Sequence, residues 1–394
     1  MRLHGPRHLP PSAGRKQAAR GHRSWRKDSL RTSGPAVSIS SGFLALELDD
    51  AGWLGADITR AVLAAESAGF HAATFTDAPV PGRANALQRA AFAGPVTRSI
   101  ALVPEVDTVY TEPFHVSTQL GSLDYVSGGR AGWIATAAES PEAAAAVGRS
   151  SVSGPALAQE AAASIEVSRR LWDSWEDDAV IRDVATGRYI DVDKLHYIDF
   201  DTTAGLEAPA GLAGPGYTVK GPSIIPRPLQ GQLPVLAAAS LVGEGLVGAD
   251  AVDAVLVSAP TAQLLAPEVR DVRARLGGSV AVIAELDVVL DSRGQAAAER
   301  SAGLDRAGVD GGRAEYAGSA AGLADFLEGL LKEADGVRLH PASLFIDVEE
   351  LGRLVLPELR RRGALRPPVQ DGTFRDLLGL ERPASRYASA TAGN

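Results

Sequence analysis

"FLALELDDAGWLGADITRAVLAAESAGFHAATFTD", residues 43–77, changes its period twice. The first six residues form a short apolar run. Asp57 then opens a segment in which Ile58, Val62, Leu63 and Ala65 recur at helical spacing until Gly69 stops it, and "AATFTD" (72–77) is apolar again. This order predicts strand, helix, strand.

Further along, the same alternation predicts a helix over 83–92, a strand at "SIALVPEV" (99–106) and a helix over 112–125 whose first position suits Pro113. "GRAGWIATAA" reads as a fourth strand and 155–175 as a long helix. "PVLAAAS" (234–240), "AVLVSA" (254–259), "SVAVIAELDVVL" (279–290) and "GVRLHP" (336–341) supply four more strands. Eight apolar strands separated by amphipathic helices predict an α/β protein with a parallel sheet covered on all sides. The count of eight favours a closed (β/α)8 TIM barrel. Residues 176–233, rich in Gly, Pro and Asp, are too long for a plain connection and read as an insertion between the fourth and fifth βα units. After the eighth strand, 347–365 reads as an amphipathic helix ending in an arginine cluster.

The chain has 394 residues, 45% of them hydrophobic, which is enough for one large barrel. It contains no cysteine, so disulfides, thiolate metal sites and a cysteine nucleophile are excluded. No apolar run reaches the length of a membrane span, and the first residues lack the apolar core of a secretory signal. A soluble cytoplasmic protein is therefore expected. Residues 1–38 hold nine Lys/Arg against the single acid Asp28 and show no apolar periodicity, so they are expected to form a disordered basic tail ahead of a barrel over 39–394. The net charge of −9 leaves the remainder strongly acidic, which argues against nucleic acid as its partner.

Ligands of this fold gather at the C-terminal ends of the strands. Glu47 and Asp49, Asp77, and Glu105 with Asp107 stand at such ends. Of the seven histidines only His340 does so, which leaves too few ligands for a metal site, and none is predicted. Neither a dinucleotide fingerprint nor a P-loop is present. "SGGRAGW" (127–133) reads as a tight turn after a helix, with Gly128 and Gly129 at positive φ, Arg130 covering the N-terminal rim and Trp133 in the core. Ser240 and Ser319 each stand where a hydroxyl caps a helix or holds an anion.

Four stretches, "YTEPFHVSTQLGSLDYVSGGRAGW" (110–133), "LWDSWEDDAVIRDVATGRYIDVDKLHYIDF" (171–200), "YTVKGPSIIPRPLQGQLPVLAAAS" (217–240) and "VLPELRRRGAL" (355–365), resemble in order the bacterial luciferase-like flavin-dependent monooxygenases, specifically the nitrilotriacetate and dibenzothiophene-sulfone monooxygenase branch. The resemblance runs from about residue 41 to 380. It implies a barrel that binds reduced FMN, takes it from a separate flavin reductase, and oxygenates a small organic substrate with O₂, as a homodimer. Carried over residue by residue, it places cofactor contacts at Asp77, at Ser240 beside the phosphate, and at Val109, with Thr108 next to it offering the hydroxyl that the family carries there. No catalytic side chain is implied. The family's flavin-contacting histidine and tyrosine fall on Gly154 and Ala158, which have no hydrogen-bonding side chains. Two further readings therefore stand beside the first: a relative using a deazaflavin, and a non-catalytic subunit of an active paralogue.

Overall fold

The computed structural model describes residues 42–48, 55–77, 84–202, 216–302, 312–367 and 369–388. The basic stretch 1–38 and Asp49 lie outside them. Strands β1 (Phe43–Glu47), β2 (Ala72–Phe75), β3 (Ala101–Asp107) and β4 (Trp133–Thr136) alternate with helices α1 (Gly55–Ala68), α2 (Ala86–Ala93) and α3 (Pro113–Ser127). After β4 come α4 (Pro141–Ala146), α5 (Pro155–Asp173) and four short strands, β5 (Val180–Asp183), β6 (Arg188–Ile190), β7 (Phe200–Asp201) and β8 (Thr218–Val219). These four form two antiparallel pairs between α5 and the next long strand. The rhythm then resumes with β9 (Val235–Ala238), β10 (Ala254–Val257), α6 (Ala262–Leu276), β11 (Ala281–Leu290), α7 (Ala297–Ala302), β12 (Ala314–Gly318), α8 (Ala320–Leu330) and β13 (Gly336–Pro341). Helices α9 (Leu344–Glu350), α10 (Leu356–Arg361) and α11 (Phe374–Leu377) follow.

Eight strands close on themselves in the order β1-β2-β3-β4-β9-β10-β11-β13, all parallel, with β13 returning to β1 in the register Phe43↔Gly336. Period two then sorts every strand residue to one of two cores. Leu44, Leu46, Phe75, Leu102, Trp133, Val255 and Leu286 face outward and pack under the helices in one apolar cluster. Phe43, Ala45, Ala72, Ala101, Val103, Ile134, Leu236, Ala254, Ala281 and Ile283 fill the lower interior. Many of these are alanines, too small to close the space alone, and α11 brings Phe374 and Leu377 up against them from below. A Cβ on Gly132 would sit 2.4 Å from the Phe374 ring, so this position has to be glycine.

Two elements differ from the sequence reading. A strand at Ala314–Gly318, where only a turn is predicted, adds to the outside of β11 in the register Leu286↔Ala314. Its five residues are mostly half-buried and show no clear apolar alternation. The helix expected over 347–365 starts earlier, at Leu344, and contains a π turn over Leu351–Val355. Pro357 has no N–H to return to the carbonyl one turn back, and the ladder widens just before it.

Candidate functional site

Moving up the barrel by the same period of two, the interior turns from alanine to charge. Glu47, Thr74 and Glu105 lie toward the C-terminal ends of their strands and Glu285 and Arg338 near the middle of theirs, and Arg338 is 3% exposed. Its Nη2 donates to Glu47 at 2.5 Å and Glu105 at 2.8 Å, its Nη1 to Glu285 at 3.0 Å and its Nε to the Thr74 hydroxyl at 2.9 Å. One guanidinium thus ties together strands β1, β2, β3, β11 and β13. Burial works against every ionised group in this layer, and the outcome depends on the partners each one has. Glu47 and Glu285 are held below the usual carboxylate range because the charge of Arg338 and hydrogen bonds from Thr74, or from His340 and Ser258, outweigh burial. Glu105 is pushed up by burial, which Arg338 does not fully offset with Glu47 and Glu285 nearby. The three carboxylates raise Arg338 above its ordinary value despite burial.

His340 closes the layer, with Nε2 3.3 Å from Glu285 Oε1. Burial and then the charge of Arg338 lower its pKa, so the ring is neutral at neutral pH. Because Glu285 is ionised, Nε2 carries the proton and Nδ1 a lone pair. Ser258 donates to the other Glu285 oxygen at 2.8 Å. The arrangement can hold a proton at the top of the barrel, in a layer otherwise locked by ion pairs.

The four residues singled out from the sequence are divided between two places. Thr108 and Val109 follow β3 and line a cavity of about 690 Å³ with Tyr110, Glu112, Arg149, Glu160 and Tyr217. The Thr108 hydroxyl donates to the Thr136 carbonyl at 2.8 Å, and the Val109 N–H donates to Asp107, so both donors are used within the chain. Asp77 follows β2 and is exposed, and its charge acts on Arg89. Ser240, in a 3-10 turn directly after β9, is exposed and its hydroxyl has no hydrogen bond among the described residues. Neither Asp77 nor Ser240 lines the cavity. Gly154 is the N-cap of the 19-residue helix α5, at φ +58°, and no side chain caps that helix. Ala158 is buried in its second turn.

The turn at 127–133 has the local geometry read from its sequence. Gly128 and Gly129 are left-handed at φ +70° and +87°, and their N–H groups return to Tyr125 and Asp124. These bonds close the Schellman pattern that ends α3. Arg130 is buried and donates to the carbonyls of Gly94, Thr97 and Ile100. Trp133 is fully buried, with its indole N–H on Val106 and its ring edge-on to Trp172.

The barrel and its site place the chain among known proteins. The family described as luciferase-like monooxygenase matches residues 55–351. The chain belongs to this family. Among its relatives, N-acetyl-S-(2-succino)cysteine monooxygenase of Bacillus subtilis is 27% identical over 367 residues, covering 74% of this chain and 80% of the relative. A component of the nitrilotriacetate monooxygenase of Aminobacter aminovorans is 26% identical over 366 residues, covering 74% and 78%. The solved structure of EDTA monooxygenase from Chelativorans sp. BNC1 superposes with a TM-score of 0.70 at 20% identity, covering 87% of this chain and 99% of that one, and shares its fold.

Family membership makes the chain a flavin-dependent oxygenase. The free Ser240 hydroxyl stands after β9, and the uncapped N-terminus of α5 follows β4 and α4 in the chain. Helix N-termini without a capping side chain attract phosphate. Sequence reasoning missed Arg338, Arg149, Glu160 and Tyr217. For Arg338 a signal existed, since it shares with His340 the inward parity of an otherwise apolar strand. For the other three, which come from different loops, nothing in the sequence marks their convergence.

Proposed function

We propose that this protein is a monooxygenase that uses reduced FMN and O₂, draws its reduced flavin from a separate reductase in the cytoplasm, and works as a homodimer. The observation that carries the reading is the free Ser240 hydroxyl at the end of β9, with the uncapped N-terminus of α5 as a second anion-binding group, on a barrel of a monooxygenase family. Ser240 and the first turn of α5 hold the phosphate in this reading, while Asp77, Thr108 and Val109 border the cofactor. Reduced flavin, when bound, supplies the two electrons with which one oxygen atom of O₂ enters the substrate and the other leaves as water. Arg338 keeps Glu47 and Glu285 ionised and fixes all three carboxyls beneath the barrel mouth, and His340 can accept a proton at Nδ1 while Glu285 holds its other nitrogen. For the dimer, Phe92, Val96, Tyr125 and Val126 form an exposed apolar surface at the ends of α2 and α3.

Anaerobic equilibrium dialysis with photoreduced FMN tests the cofactor. Saturable binding that Ser240→Ala weakens by roughly five- to tenfold, the worth of one ordinary hydrogen bond of about 1 kcal/mol, is expected. Absence of binding up to high micromolar, or saturable binding of a reduced deazaflavin instead, overturns the reading. Sedimentation velocity on Phe92→Glu checks the dimer, with a shift toward monomer as the expected result.

A further inference from the structure

The cavity beside β3 combines an apolar floor with an unequal set of charges. Val109, Tyr110, Ala144 and Val152 pack into one cluster beneath it. Arg149 is the cation among the residues lining it, and its terminal nitrogens are committed to Glu160, at 2.9 Å, and to the Val109 carbonyl. Glu112 lines the opposite wall and caps α3 by accepting from Phe114 and His115. Burial raises the Tyr217 hydroxyl above its ordinary value, and the charges of Glu160, Arg149 and Glu112 also act on it. Arg149 also acts on Asp107, just behind the wall. The lining thus holds two carboxylates, Glu112 and Glu160, against one guanidinium, which is ion-paired with Glu160.

Hydrogen-bonding capacity is just as uneven. The Thr108 and Thr111 hydroxyls donate to the carbonyls of Thr136 and Asp107. Lone pairs remain on both threonines, on Glu160 Oε2 and on Glu112, beside two buried donors without a partner among the described residues, the Tyr217 hydroxyl and Arg149 Nε. Burial raises the carboxyl of Glu160 above its ordinary value, as expected for an acid whose one cation is shared.

We propose that this cavity binds an organic ammonium ion, a protonated amine whose apolar body rests on Val109, Val147 and Val219 while its N–H groups meet Glu160 and Glu112. The ligand's identity as the substrate rests on the monooxygenase reading, but the binding itself does not. An anionic head would face the same carboxylates with its charge reversed, so the cavity selects by sign before it selects by shape.

Three probes of one skeleton test this: 2-naphthylmethylammonium, 2-naphthylmethanol and 2-naphthoate. They are dialysed against the full chain without flavin at pH 7.5 and low salt and quantified by their own fluorescence. The ammonium should bind at least about tenfold more tightly than the carboxylate, with the alcohol between, as expected for a charge held within a few ångströms of a half-buried acid. Glu160→Gln should narrow that ratio to less than about threefold by freeing Arg149. Glu112→Gln, at an exposed cap, should narrow it in a variant whose fold is not at risk. Naphthoate binding as tightly as the ammonium, a ratio that survives both substitutions, or no saturable binding of any probe overturns the inference. A chain that prefers naphthoate yet binds reduced FMN overturns this inference alone. One with the ammonium preference but no flavin binding overturns the monooxygenase reading alone.

Discussion

Replacing Arg338 by methionine removes the guanidinium that Glu47, Glu105 and Glu285 share, while keeping most of its apolar volume. All three carboxyls are buried in the barrel interior, and burial is the largest influence on each. Removing one partner of a buried ion pair costs about 3–5 kcal/mol, because the abandoned charge stays out of water. At roughly 2 °C per kcal/mol for a domain larger than 150 residues, the melting temperature at pH 7.5 should fall by about 6–10 °C. The pH dependence separates this account from a simple packing loss. In the wild type, Glu47 and Glu285 titrate below their unfolded values. Their stabilisation is therefore present above about pH 4.5 and is lost as pH falls through the lowered folded values. Without Arg338 the same carboxyls are desolvated and uncompensated, so their folded pKa values rise above the unfolded ones. The stability of the variant then increases as protons are taken up. The gap between the two proteins should be widest at pH 7–8 and shrink clearly by pH 5. Differential scanning calorimetry across that range measures it. A loss below 2 °C at pH 7.5, or one that does not change with pH, refutes the reasoning.

Gly154→His has room, since a Cβ there meets nothing within 4 Å, although φ +58° strains any L side chain by about 1 kcal/mol or more. Dialysis should show reduced-FMN affinity rising severalfold at a small cost in melting temperature. Ala158→Tyr, by contrast, forces a ring into a buried second turn and should lower stability by about 1–3 kcal/mol, read by urea unfolding. His71 is fully buried, accepts from the Leu44 N–H and donates to the Arg366 carbonyl, and burial lowers its pKa to about 4. It stays neutral where the unfolded chain takes up a proton, so its contribution is present above pH 6.5 and is lost as pH falls to 4, by up to about 3 kcal/mol. The penalty of His71→Gln in urea titrations should accordingly be smaller at pH 4.5 than at pH 7. Arg130→Met leaves the carbonyls of Gly94, Thr97 and Ile100 without their donor and should cost about 2–4 kcal/mol, measured the same way.

The barrel was legible because each strand is an apolar run buried on both faces, and Gly69 and Gly128 mark helix ends in the sequence itself. β12 was not, because five partly buried residues on the outer edge of β11 need no strong pattern to pair. At the site, Glu47 and Glu105 were visible as acids at strand ends, and Thr108, singled out as a cofactor contact, lines the cavity after β3. Arg338 was hidden by its apolar neighbours, although its inward parity follows from that of His340 by simple alternation. Arg149, Glu160 and Tyr217 come from three separate segments, and only the folded chain brings them to one wall. Local periodicity carries the scaffold, whereas convergence between loops leaves no trace in spacing.

The alanine-lined floor of the barrel has a consequence for how the chain comes into being. Phe43, on the first strand, rests on Phe374 with ring centroids 6.1 Å apart, and α11 fills space that the alanines of the interior leave. A ribosome making this chain reaches residue 374 more than 330 residues after residue 43. Until then the nascent barrel can pair its strands and seat its helices but has no stopper. Sealing the interior therefore waits for the segment that follows the last barrel strand, and a chain cut short after that strand would carry every strand of the fold without its stopper.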